Sequence, residues 1–339
     1  MKLFQTQIED KHIETISDVL RNGDIGFGSN VSVLEREFNK FSNRTFNIAV
    51  NSASAAAFMI FAYLKEKYGV CDVYTPSIGF TSPAWAAKHF GHNIIWVEVD
   101  ENLLFDVRDY KHRREFRDSL EMITNDGFYD SYSDRKVVIM PILYGGVSTI
   151  PYMDELKDEI VVVDSAHCVT PTIKSDFTFF SFHPYKPIAS SDGGMISTDD
   201  ELANDWFKSY RNFGRQNVDG IYDICMEGFK FYMNNLNATI TLTQMDVYYD
   251  NLKNRKYNNS VIESLNLKGR LLPHDDKSSY YFSTLICDED SVDELSKKYP
   301  TSKHYPMLHK TTYFDNRFEL PFTENIHKLI LNLPLYDKI

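Results

Sequence analysis

Four cysteines are spread thinly over 339 residues, Cys71, Cys168, Cys225 and Cys287, and no two fall in a C-x-x-C spacing. That argues against a disulfide framework or a zinc cluster and for buried thiols in a reducing cytoplasm. No apolar stretch approaches the roughly 18 residues of a membrane span. The opening MKLFQTQIEDKHIET lacks the apolar core of a secretory signal. Basic residues are in deficit: 36 Lys and Arg against 48 Asp and Glu leave a net charge of −12. This is the wrong sign for a broad nucleic-acid surface. A small phosphorylated ligand stays open, because it needs only local N–H groups and a cation or two. The 10 histidines include no H-E-x-x-H or comparable ligand spacing, so no metal site is expected. There is no internal repeat and no low-complexity linker.

What the chain does contain is alternation. Helical spacing at Ile13 to Arg21 and at Val31 to Phe41 flanks a loop, Ile25-Gly26-Phe27-Gly28-Ser29-Asn30. Strand-like runs follow at Asn47 to Val50, Val73 to Thr75, Ile94 to Val99, Val137 to Leu143 and Ile160 to Val163. Between them come helical runs at Ala55 to Tyr68, Ser82 to Phe90 and Met153 to Lys157. Such alternation predicts an α/β fold, a mostly parallel sheet with helices on both faces. The charged segment from Arg108 to Asp134 has no period that assigns it. After Ser197 come long helical stretches, Glu201 to Arg211 and Asn235 to Leu265, then a strand at Tyr280 to Ile286. This change of character predicts a large domain over 1–244 and a smaller C-terminal α+β domain over 245–339.

Two charges stand out between Val161 and Met195. Asp164 closes one apolar run, and Lys186 follows a second, FTFFSF. Both runs read as buried strands, where a charge is costly without a partner. A buried carboxylate needs a cation, and a buried amine needs an anion or a carbonyl. Pyridoxal 5′-phosphate (PLP) would answer both, with a ring nitrogen that pairs with an acid and an aldehyde that condenses with a lysine. Against it stand the plainer readings of Asp164 as a helix N-cap and Lys186 as a solvated surface residue.

Three further clusters keep two readings each. Asn51-Ser52-Ala53-Ser54 before Ala55-Ala56-Ala57 sits where a strand gives way to a helix, and suits either a phosphate site or plain N-capping. Phe80, beside Gly79 after the next strand, suits either a flat ligand or the core. His167, three residues beyond Asp164, is either a partner for a phenolate oxygen or a structural histidine. Gly193-Gly194, after Asp192, suggests backbone held close to a ligand.

In order along the chain these clusters resemble the DegT/DnrJ/EryC1/StrS sugar aminotransferases, PLP enzymes of the aspartate-aminotransferase fold (fold type I). Ala49-Val50-Asn51-Ser52-Ala53-Ser54-Ala55-Ala56 resembles the family's N-S-G-T-A-A phosphate turn, and Pro76 to Phe80 its P-x-x-T-F segment. Val163-Asp164-Ser165-Ala166-His167 is similar to D-x-A-[QH], and Ser181 to Lys186 to S-F-x-x-x-K. The resemblance implies that Lys186 is the catalytic lysine and that Asp164 pairs with the ring nitrogen. It also implies that Phe80 and Ala166 sandwich the ring, that His167 reaches the phenolate, and that Ala53, Ser54 and Ser181 hold the phosphate. Gly26, Phe27, His183 and His309 fall at family positions that face substrate. A nucleotide-linked keto or amino sugar, glutamate as amino donor, and a homodimer with sites at the interface are implied in the same way. The pairing of D-x-A-H with S-F-H-x-x-K-P-I resembles the branch that aminates C4 of UDP-4-keto sugars. Asp192 in place of that branch's glutamate leans toward C3 amination of dTDP-3-keto sugars. One stretch departs: Gly228 to Met233 reads G-F-K-F-Y-M where the family has G-x-N-x-R-M. Lys230 would supply charge to the phosphate there, and Tyr232 has no evident substitute role. This departure is what keeps a non-catalytic binding or regulatory protein on the same fold as the competing reading.

Overall fold

The computed structural model describes residues 8–123, 135–218, 220–314 and 317–335. The first seven residues and the tail of the charged segment, 124–134, lie outside them. Seven short strands form the main sheet: β1 (Phe46–Val50), β2 (Asp72–Pro76), β3 (Asn93–Val97), β4 (Val137–Ile139), β5 (Ile160–Asp164), β6 (Phe177–Ser181) and β7 (Gly194–Thr198). Their order is β1-β7-β6-β5-β4-β2-β3. Pairings from β3 through β6 are parallel, and β7 runs antiparallel between β1 and β6.

Each strand is buried on both faces, so its side chains feed two cores in turn. Val73, Val138, Val162 and Ile196 pack with Ala56, Ile60 and Phe61 of the helix Ala53–Tyr68 on one side. Tyr74, Ile139, Val161 and Val163 pack with Tyr110, Phe282 and Ile330 on the other. The result is the three-layer α/β arrangement that the alternation predicts. A hairpin, β8 (Arg215–Val218) with β9 (Ile221–Ile224), projects beyond the main sheet. A separate antiparallel sheet joins β10 (Arg270–Leu271), β11 (Ser283–Ile286) and β12 (Ile330–Leu333). The four cysteines are free thiols, and only Cys225 is exposed. Among the described residues, no helix is long and apolar enough to cross a membrane, and no cluster could hold a metal.

Several elements differ from the sequence reading for local reasons. The strand expected at Val137 to Leu143 stops at Ile139, just short of Pro141, which has no N–H to give a ladder. Val107–Ile123 is a helix. Its charged face hid the apolar side that carries Val107 and Tyr110 into the core. The long stretch from Asn235 is two helices, Asn235–Asp246 and Tyr248–Ser264, parted at Val247, whose backbone sits at φ −101°, ψ 3°. The predicted strand at Tyr280 begins at Ser283, since Tyr280 takes φ +47°, outside the extended region.

Candidate active site

The carboxyl ends of β1, β2, β5 and β6 open into one cavity of about 330 Å³, the end of an open α/β sheet where ligands ordinarily bind. Ala53, Ser54, Phe80, Asp164, Ala166, His167, Ser181, His183 and Lys186 all line it. Residues that come together here were therefore singled out from four separate stretches of sequence.

At one end the helix Ala53–Tyr68 begins. Ser52 caps it, its Oγ accepting the Ala55 N–H at 3.1 Å, and Ser54 Oγ donates to Ser82 Oγ at 2.9 Å. The helix start therefore presents hydroxyls and positive dipole to the cavity, a setting that suits an anion. Gly194, at the head of β7, passes directly behind this turn. A Cβ there would lie 2.6 Å from Ala53 N and from the Ser52 carbonyl carbon, so only glycine lets the strand approach this closely.

Asp164 lies deeper, 3 % exposed, with Oδ1 accepting the Ala166 N–H at 3.0 Å. Burial raises its pKa to about 6, against the lowering effects of that N–H and of Lys186. Lys186 reaches the cavity from the β6–β7 connection, where its own N–H donates to His183 O at 2.8 Å. It keeps some accessible surface because it lines the cavity, yet the protein packed around it pulls its pKa down to about 7, opposed by Asp164. An amine poised between its two protonation states near neutrality suits proton transfer.

An aromatic group closes the remaining walls. Phe80 is 54 % exposed and sits 5.9 Å from Tyr305, centroid to centroid. Its face is thus free for a flat ligand, as a purely structural aromatic's would not be. His167 shares a hydrogen bond of 2.9 Å between Nε2 and Tyr305 Oη, and its ring lies 4.2 Å from that of Tyr281. Burial first, then the fields of Lys186 and His304, holds His167 well below the usual histidine range, so it is neutral. Its Nδ1 is buried without a hydrogen-bond partner among the described residues, which leaves a polar atom for a bound group to satisfy. Tyr281, Tyr305 and His304 belong to this cavity and were missed as site residues. Tyr281 reads as part of a buried strand, and His304 and Tyr305 lie in the run T-S-K-H-Y-P, where no period marks a cavity wall.

Four predicted residues lie elsewhere. Gly26 and Phe27 do not line the cavity: the Gly26 carbonyl accepts the Asn235 N–H, and Phe27 packs edge-on against Tyr232 at 5.2 Å. Lys230 is exposed, and its carbonyl accepts from Asn51 Nδ2 at 3.1 Å. That bond, with Asn51 N–H to Phe231 O at 2.7 Å, holds the G-F-K-F-Y-M stretch beside the phosphate turn. His309 is fully buried, between Ser77 Oγ at 2.8 Å and Glu324 Oε1 at 3.2 Å.

These residues fit PLP: a helix start with hydroxyls for a phosphate, a buried acid, an open aromatic face, an orphaned imidazole nitrogen and a reactive amine. Charge burial of this kind costs stability until a ligand arrives. The folded pKa of Lys186 lies near 7, below its usual value of 10.5. The cost of its charge is therefore fully present below pH 7 and fades as pH rises from 7 toward 10.5. Lys186→Met is accordingly expected to stabilise the cofactor-free protein, by on the order of 2 kcal/mol below pH 7 and progressively less above it. Urea denaturation at pH 6 and pH 9 tests this; an equal or opposite effect at the two pH values would refute it.

Comparison with known proteins places these features. The model of the DegT/DnrJ/EryC1/StrS aminotransferase family matches residues 6–339. The spore coat polysaccharide biosynthesis protein SpsC of Bacillus subtilis strain 168 is 27 % identical, over 98 % of this chain and 91 % of its own length. Among solved structures, Helicobacter pylori PseC, an aminotransferase involved in the biosynthesis of pseudoaminic acid, superposes with a TM-score of 0.84. It is 17 % identical, and the match covers 98 % of this chain and 93 % of that one. Spr1654 from Streptococcus pneumoniae in its PLP form gives 0.80 at 22 % identity, over 100 % of this chain and 94 % of that one. The likeness is in fold, that of the PLP fold-type-I aminotransferases.

Proposed function

The chain belongs to the DegT/DnrJ/EryC1/StrS aminotransferase family, whose cofactor is PLP, and on that premise we propose that it moves an amino group from an amino acid to a nucleotide-linked keto sugar. The observation that carries this reading is the meeting of Lys186 and Asp164 in one cavity, with the lysine's pKa brought to about 7. Bound PLP supplies the electron sink and carries the amino group between two half-reactions.

The protein's own groups supply the rest. Lys186 would hold the cofactor at rest, and once released its Nζ would move a proton between the donor's reacting carbon and C4′ of the cofactor in the first half-reaction, and between C4′ and the sugar carbon in the second. Asp164, shielded from water, keeps a negative charge opposite the ring nitrogen. Phe80 covers one face of the ring and Ala166 the other. Ala53, Ser54 and Ser181 bind the phosphate, and His167 takes the phenolate side. Lys230, beside the turn at Asn51, is suited to meet charge at a subunit interface, in keeping with a homodimer. His183, exposed at the cavity mouth, is suited to contact the sugar.

Glutamate is the donor we favour, and C4 of a UDP-linked 4-keto sugar is the acceptor. The pairing of the His167 and His183 motifs supports C4. Asp192, which also lines the cavity, supports the alternative of C3 in a dTDP-linked sugar. The test begins with borohydride reduction of the PLP-loaded protein, which fixes the cofactor's mass on the peptide carrying Lys186. Added glutamate then converts the absorbance to that of the cofactor's amino form, and a panel of UDP- and dTDP-linked 4-keto and 3-keto sugars restores it. A protein that binds PLP but is converted by no amino acid is a binding protein, not a transaminase.

A further inference from the structure

Lys186 has a neighbour that none of the roles above uses. Its Nζ lies 3.4 Å from Tyr281 Oη, at the long end of hydrogen bonding, and 4.5 Å from the centre of the same ring. We propose that Tyr281 is the holding site for the free Lys186 amine: its hydroxyl accepts a hydrogen bond from Nζ and its ring face attracts the ammonium. Tyr281 would thereby set the pH at which the amine can act as a base. The proposal builds on the role given to Lys186 above.

The placement is built in. Tyr281 is 2 % exposed and packs on His167 at 4.2 Å and Phe282 at 4.9 Å. Its N–H donates to Gly145 O at 3.0 Å, and Ser279 N–H donates to Gly146 O at 2.7 Å. Gly146, at φ +94°, has no room for a Cβ, which would lie 2.9 Å from Tyr281 N and from His167 O. One buried side chain ties both partners' segments together. Arg255 donates from Nη1 to Ser279 O and from Nη2 to Pro187 O, each at 3.0 Å. The residue after Lys186 and the residue two before Tyr281 are thus held by one rigid guanidinium. Arg255 thus ties together the backbone that carries the two side chains.

Both contacts favour the charged amine, against the burial that favours the neutral one. The other groups facing the amine are few. Asp164, from β5, also favours the charge. His167 and His183, beside β5 and β6, and His304, from the C-terminal part, are all held below the usual histidine range by burial and then by Lys186. Tyr305 is held well above the usual tyrosine range by burial. Neutral near pH 7, these four do not oppose the ammonium; Asp192 and Tyr185 also line the cavity, and Tyr281 is the side chain that Nζ meets at hydrogen-bonding distance.

Competitive acylation of the full-length, cofactor-free protein with acetic anhydride, read by mass spectrometry on the Lys186 peptide, reports the amine's pKa without any turnover. Tyr281→Phe should lower the half-point by about half a unit to one unit, and Tyr281→Leu, which also removes the ring, by more. The acid limb of the pH–kcat profile should move the same way. An unchanged half-point in folded Tyr281→Phe overturns the proposal, whatever the Leu variant does. The transaminase reading fails separately, if glutamate converts no cofactor, and that outcome leaves the acylation result standing.

Discussion

Lys186→Ala is expected to reduce transamination by about 10³–10⁴-fold or more, because in the proposed mechanism one substitution removes both the covalent hold on the cofactor and the proton carrier. The fold should survive, since the amine sits at a cavity wall and its charge is a net cost there. PLP should still bind through the helix start at Ala53 and through Ser181, but borohydride should add no mass to the protein. Single-turnover kinetics with glutamate, alongside intact-mass analysis after reduction, gives both readings. Retention of more than about a tenth of the rate would rule out Lys186 as the proton carrier.

Asp164→Asn isolates the other end of the cofactor. Asparagine keeps an oxygen for the Ala166 N–H and discards the charge. A fall in kcat of about 10²–10³-fold is expected, comparable to removal of a preorganised electrostatic partner. Stability should move the other way. The folded pKa of Asp164 is raised to about 6 from 3.8, so its charge costs stability fully above pH 6, and that cost is lost as pH falls toward 3.8. The cofactor-free variant should therefore melt higher than the wild type at pH 7 and equally at pH 4. Loss of activity together with a lower melting temperature at pH 7 would make Asp164 a structural residue instead.

Much of this site was legible in the sequence because it breaks local rules. Asp164 and Lys186 interrupt apolar runs, and two adjacent glycines precede a strand; such conflicts mark places where a fold gives up stability for a task. The parallel sheet was legible for the opposite reason, since its helices and strands follow their periods. Tyr281 was not legible because it breaks nothing, reading as part of a buried strand, and Tyr305 was not because its run, T-S-K-H-Y-P, follows no period. His309 was misplaced for another reason. Resemblance alone put it at the site, and the fold turns it inward to Ser77 and Glu324. The helix Val107–Ile123 was hidden by charge, since Arg113 pairs with Asp109 and Arg117 with Asp72 along a face that sequence shows only as polar.

The single antiparallel strand has a consequence for how the molecule assembles. β1 pairs with no strand of the main sheet except β7, with Phe46 facing Thr198 and Val50 facing Gly194. The turn that follows β1 therefore has no fixed place until chain made much later has slotted in beside it. Such closure over a long sequence separation is slow, and until it happens β6 presents an open edge able to recruit another chain. A ligand that spans the turn after β1 and the loop before β7 binds only the completed sheet. It would draw late intermediates forward by mass action. Seen this way, a cofactor bound at that turn would also stabilise the closed sheet against states in which β7 has not yet paired with β1.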